Sequence, residues 1–150
     1  MKYSSIPSQS KEGVASVPST PGQLLLAQML KKELEEMEME DISLSENGVL
    51  IAHLEGNYTS PTIGWISHLD TADIALSPIV HPILVEAYDG REIVQEEGRH
   101  ITLHTNPELE KHIGKDILFS DGRSVLGADN KAAIAIIMEA LSILSKNKDI

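Results

Sequence analysis

The sequence predicts an α/β fold, and three observations carry that reading. Leu26, Leu30, Leu34 and Met37 recur at helical spacing, with Lys31, Lys32, Glu35 and Glu36 on the opposite face. Ile63, Trp65 and Ile66 form a short apolar run ending at His68, the pattern of a buried central strand. Beyond Asp129 an apolar segment runs to Leu144 and reads as a second helix.

Taken in order, the elements have local justification. The start, Met1 to Gly13, is polar, with Pro7 and several serines, and shows no secretory leader. Thr20, Pro21 and Gln23 make a helix start: an N-cap, a proline at the first helical position, and Gln three residues after the cap. Residues 42–44 and 49–54 flank Asn47-Gly48, a turn dipeptide that predicts a hairpin. A loop through Gly56 and Pro61 leads to the strand ending at His68. Residues 72–121 are punctuated by Pro78, Pro82, Gly90, Gly98 and Pro107, and read as a site-shaping excursion more than core. The helix expected over 130–145 is apolar nearly all round, so it should be covered on most sides. That cover would come from the preceding strands, from another copy, or from further sequence, the last being preferred. Neither an internal repeat nor a low-complexity tract is visible.

Composition narrows the function classes. The 150 residues suffice for one domain with a real core, and 41% hydrophobic with 23% charged residues is ordinary for a globular chain. A formal charge of −11 and a pI near 4.8 argue against nucleic-acid and anionic-membrane partners, which call for clustered Lys and Arg. Aromatics at 3% leave little for base stacking. Without cysteine, disulfides and thiolate metal sites are excluded, and His and carboxylates remain as strong ligands. The longest apolar stretch, 132–144, is interrupted by Glu139 and too short for a bilayer. A cytoplasmic location is the expectation.

The candidate site residues are His68, Asp70 and Asp129. Residues two apart on a strand point to the same side, so Asp70 should lie near His68 at the strand's carboxyl end, where open α/β sheets keep ligands. An imidazole backed by a carboxylate is a common way to hold a metal, since the acid fixes the ring's tautomer. A His-x-Asp triplet alone is weak. Asp129, in Val125-Leu126-Gly127-Ala128-Asp129-Asn130-Lys131, would open the second helix, where orphan amides and the macrodipole favour an anion. An ordinary N-cap aspartate is the plain alternative. With both motifs in this order the metal reading is favoured, and His68 and Asp129 should lie within about 8 Å of each other if they share one ion.

The other polar candidates have plainer readings. His100 and His104 stand four apart, but Ile101-Thr102-Leu103 between them favours strand. His81, before Pro82, reads as a packed loop residue. His53 should face solvent at a strand end, and His112 belongs to a charged surface run with Glu108, Glu110 and Lys111. Glu96 and Glu97 read as a solvated loop. The spacing around Gly127 is not that of a phosphate loop.

Several segments together resemble the peptidase T family, aminotripeptidases of the di-zinc exopeptidase group. They are Tyr3 to Gly13 with Val17-Pro18-Ser19-Thr20-Pro21-Gly22-Gln23, Leu34-Glu35-Glu36-Met37, Leu44-Ser45-Glu46-Asn47-Gly48, His68-Leu69-Asp70-Thr71, and Asp121-Gly122-Arg123-Ser124 through Lys131. The resemblance runs in order along nearly the whole chain, and its last segment is the most specific. It implies a three-layer αβα catalytic domain with a mixed sheet, of which residues 1–150 are the amino-terminal segment and therefore incomplete. The remainder of that domain and the family's second, smaller domain would be absent.

The resemblance also implies roles. His68 matches a ligand of one zinc, Asp129 the carboxylate bridging two zincs, and Asp70 the acid counted as catalytic, which orients and polarises His68. Asn130 stands where the family usually has a second Asp, and Ala133 where a Gly is usual. In the family a Glu-Glu pair, supplying the general base and a ligand, follows the bridging aspartate, with a further acidic ligand and a histidine later. Glu96-Glu97-Gly98 precedes Asp129 and so does not match that pair. The expected function is thus zinc-dependent release of the N-terminal residue from tripeptides, by small-peptide recognition and metal-activated water, with the isolated 150 residues inactive. The alternative is a non-catalytic truncated product, a weak metal-binding or interaction module. Self-association through an exposed apolar helix is expected if the cover of the second helix is missing.

Overall fold

The computed structural model describes residues 1–56 and 59–147. It is a mixed α/β chain with two helices and three small antiparallel sheets. It divides into two compact units: residues 8–73 with 127–150, and residues 1–7 with 74–126.

In the unit of residues 8–73 and 127–150, helix α1 spans Pro21–Glu36. Pro21 opens it as expected, because the missing amide would have had no intrahelical partner. Thr20 makes no side-chain cap; its hydroxyl donates instead to the Gln9 carbonyl at 2.7 Å. Leu26, Ala27, Leu30 and Leu34 are buried, which is the apolar face read from their spacing. That helix packs on a hairpin of β1 (Glu40–Leu44) and β2 (Leu50–His53), paired antiparallel with Leu44 opposite Leu50. Gly48 turns the hairpin at φ +80°, a conformation that a side chain would strain. A register break between Glu40 and Ser43 accompanies a positive φ at Asp41.

Residues 63–68 differ from expectation. They form no strand, and Ile63, Trp65 and Ile66 are 78%, 48% and 94% exposed. A buried parallel strand exists only when neighbours satisfy its amides and carbonyls on both edges. Among the described residues none pairs with 63–68, so the segment stays irregular and largely exposed without a ladder. The three sheets among the described residues are each two-stranded and antiparallel, consistent with a partial α/β domain.

Helix α2 spans Ala128–Lys146. It buries Lys131, Ile134 and Met138, one narrow stripe, while Ile136 is 69% and Ile143 48% exposed. The covering expected on most sides is therefore not present among the described residues.

Most of 72–121 lies in the other unit and proves more ordered than its punctuation suggested. Strand β3 (Pro82–Val85) pairs antiparallel with β6 (Ile117–Ser120), and β4 (Ile93–Val94) with β5 (His100–Ile101). Pro82 opens its strand, where a lost amide costs least. A 3₁₀ helix, Pro107–His112, lies between β5 and β6. Val80 and Tyr88 are buried. Asp121, 2% exposed, accepts bonds from the Arg123 amide at 2.9 Å and its Nε at 3.4 Å. Burial pushes the Asp121 carboxyl up, but those bonds and the charges of Arg123 and His81 outweigh it and hold the pKa below the usual aspartate value. Glu96 is not simply solvated: its carboxylate pairs with Arg123 and its amide donates to the Asp121 carbonyl at 2.9 Å. The Glu97 side chain lies outside the described residues.

Candidate metal centre

His68, Asp70 and Asp129 all belong to the unit of residues 8–73 and 127–150. His68 and Asp70 sit on an irregular loop, not at a strand end. Asp129 opens α2 after Gly127, which caps it at φ +72°, and Asp129 itself has non-helical φ/ψ. These two segments, 61 positions apart in sequence, meet: His68 Nε2 lies 3.0 Å from Asp129 Oδ1. That is well within the allowance of about 8 Å set for two residues sharing one ion. On the other side of the ring, Nδ1 is 3.0 Å from the Asp70 carbonyl and 3.1 Å from Asp70 Oδ1.

The hydrogen-bond pattern fixes the ring's chemistry. A carbonyl can only accept, so Nδ1 carries a hydrogen and donates to Asp70. A neutral ring then has its Nε2 lone pair aimed at the Asp129 carboxylate. Two lone pairs 3.0 Å apart require a cation between them, either a proton on Nε2 or a metal ion. The Asp129 carboxylate raises the His68 pKa above its ordinary value, burial works against this, and the Asp70 side chain, carbonyl and charge add to the rise.

The donor set suits zinc in kind, an imidazole backed by a carboxylate facing a second carboxylate. Bonds of about 2.0–2.2 Å in tetrahedral geometry set two ligand atoms about 3.3 Å apart. Opening the 3.0 Å contact that far asks for a small shift of the Asp129 side chain, which is 94% exposed. In number the set is short: among the described residues no group of three His, Cys, Asp or Glu can hold a metal, whereas catalytic zinc usually takes three protein ligands.

The remaining histidines are dispersed. His100, exposed on β5, pairs its Nδ1 with Glu92 Oε1 at 2.9 Å, and His104 is exposed in the following turn. His53 is half-buried with Nε2 3.3 Å from Glu55 Oε2, and His112 is half-buried at the end of its 3₁₀ helix. His81 is exposed, not packed, because its neighbour Val80 takes the buried position at no desolvation cost to an imidazole.

No family profile matches the chain. Individual relatives do. It is 43% identical to peptidase T of Bacillus subtilis over 152 residues, covering 99% of this chain and 37% of the relative. Against peptidase T of Bacillus licheniformis it is 41% identical over 154 residues, covering 100% of this chain and 38% of the relative. The chain matches the amino-terminal part of peptidase T. A peptidase T-like protein of Yersinia pestis is 41% identical over 147 residues, or 96% of this chain and 36% of its own length. The chain thus spans less than two-fifths of the length of these curated relatives.

Residues outside the motifs also frame the candidate site. Ser67 Oγ donates to the Asn130 carbonyl at 3.4 Å, and Ser8 Oγ to the Leu69 carbonyl at 2.7 Å. The sequence gives little hint of the second contact beyond a small polar triplet, Ser8-Gln9-Ser10, ahead of the first helix.

Proposed function

We propose that this chain supplies the amino-terminal part of a zinc-dependent aminotripeptidase of the peptidase T kind, acting in the cytoplasm on short peptides. The observation that carries the reading is the 3.0 Å approach of His68 Nε2 to Asp129 Oδ1 between two motifs 61 positions apart. The peptidase T relatives support peptides as the substrate class. In this reading His68 and Asp129 would hold the zinc, His68 through its ring nitrogen and Asp129 through its carboxylate. Asp70, assigned as catalytic by the family resemblance, acts through His68, holding the Nδ1 hydrogen so that Nε2 presents its lone pair. Bound zinc would polarise the scissile carbonyl and lower the pKa of its water. The general base and the other ligands are assigned to the remainder of the enzyme. The 150 residues by themselves therefore hold zinc weakly and hydrolyse no tripeptide.

A chimera tests the proposal: residues 1–150 replacing the matching part of Bacillus subtilis peptidase T, assayed for release of the N-terminal residue from a tripeptide. Zinc-dependent turnover is expected, abolished by chelator and lowered at least about 10²-fold by Asp129→Asn. A folded chimera without turnover, or turnover indifferent to both His68→Ala and Asp129→Asn, would contradict it. No helix among the described residues is long and apolar enough to cross a membrane.

A further inference from the structure

The contact between His68 and Asp129 is made by two exposed side chains, and such contacts are weak in water. The loop carrying His68 has no ladder to hold it. Something else must keep the pair together. Three contacts do so in series. Ser8, 1% exposed, donates its hydroxyl to the Leu69 carbonyl at 2.7 Å and accepts the Thr71 amide at 3.1 Å. The Ser10 amide and hydroxyl both reach the Thr71 carbonyl, at 2.9 and 3.1 Å. Thr71, 4% exposed, presses its methyl against Gly127, where a Cβ would come within 2.8 Å of Cγ2. Gly127 is the cap of α2, two residues before Asp129.

We infer that Thr71, clamped by Ser8 and Ser10 and seated on Gly127, is the positioning residue that sets the His68–Asp129 distance. The series runs from residues 8–10 through 69–71, which adjoin His68 and include Asp70, to Gly127, two residues before Asp129. Hydrogen bonds from a buried hydroxyl to a loop carbonyl are lost outright on truncation, because no water replaces them there. The Thr71–Gly127 contact has no slack: a methyl at position 127 must displace one segment or the other. This inference rests on His68 and Asp129 forming one site, and so on the metal reading for its consequence but not for its geometry.

The test is a cycle on the full chain. Gly127→Ala should move the His68 ring resonances, in metal-free protein at fixed pH, toward those of Asp129→Asn, the variant lacking the carboxylate. Thr71→Ser removes the methyl seated on Gly127; alone it should move the signals part of the way toward those of Asp129→Asn, and with Gly127→Ala, which refills the gap from the other side, it should return them most of the way to wild type. Ser8→Ala should shift them in the same direction as Gly127→Ala. Zinc affinity by calorimetry, well below the melting temperature, should fall about 10-fold in Gly127→Ala and recover in the double variant. A merely structural contact would lower the melting temperature and leave the His68 signals of the folded protein unmoved. Unmoved signals in folded Gly127→Ala, or no recovery with Thr71→Ser, overturn the inference; the second result would leave the strain of Ala at positive φ as the whole effect. If wild type binds no zinc at His68, the metal reading fails, while the metal-free arm still decides the positioning.

Discussion

At the scale of single residues, the face of His68 turned to Asp129 can take a proton or, in the proposed reading, a metal ion. Its pKa is raised chiefly by Asp129, so pairing stabilises the folded chain below the ordinary histidine value and this contribution disappears as pH rises through the folded pKa. Zinc needs the neutral ring and behaves oppositely. Its affinity should rise by about tenfold per pH unit below the folded pKa and level off above it. Asp129→Asn removes the largest cause of the rise, so the His68 titration midpoint should move to lower pH. Proton NMR of the imidazole across pH 5–9 measures this, and an unmoved midpoint would mean that the two side chains do not meet in solution. The contact itself was legible in the order of the two motifs. The tautomer was not, since it depends on the Asp70 carbonyl reaching Nδ1, a detail of loop geometry.

At the scale of elements, those with local causes could be read and those with distant causes could not. Helix α1 follows from Pro21 and its leucine spacing, and the β1–β2 hairpin from Asn47-Gly48. Residues 63–68 have the composition of a buried strand, but a strand needs neighbours that those residues do not specify. Within 72–121, β3 and β6 pair across an intervening hairpin, which no local pattern encodes. The turn after β6 is held by Asp121 and Arg123, and here a stability prediction belongs. Asp121→Asn should cost about 1–3 kcal/mol at neutral pH, the usual range for breaking a buried charge-assisted hydrogen bond. Because the Asp121 pKa is lowered, its contribution is present above the ordinary aspartate value and is lost as pH falls through the folded pKa. Denaturant melts of the two proteins should therefore differ at pH 7 and converge toward pH 3; a difference that does not shrink with acid would refute the charge-based account.

At the scale of the whole molecule, the apolar surface is the unusual quantity. Ile63 and Ile66 on the loop, and Ile136 and Ile143 on α2, are all about half exposed or more. Each buried isoleucine would contribute roughly 1.5–3 kcal/mol relative to an exposed one, so there is a strong drive to cover them. The cover expected for α2, preferably from further sequence, is not present among the described residues. The 150-residue chain should self-associate at micromolar concentrations and bind a hydrophobic dye, and Ile66→Ser with Ile136→Glu should reduce both. Light scattering of a monodisperse, dye-silent wild-type chain would contradict this.

The central claim, that His68 and Asp129 share one metal ion, is tested most directly by titrating zinc into nitrogen-labelled chain and following all six histidines. The account predicts that His68 Nε2 moves first and alone, that its Nδ1 hydrogen is retained, and that the shift is lost in Asp129→Asn. Saturation of another histidine before His68, or a His68 shift undiminished in Asp129→Asn, would contradict it.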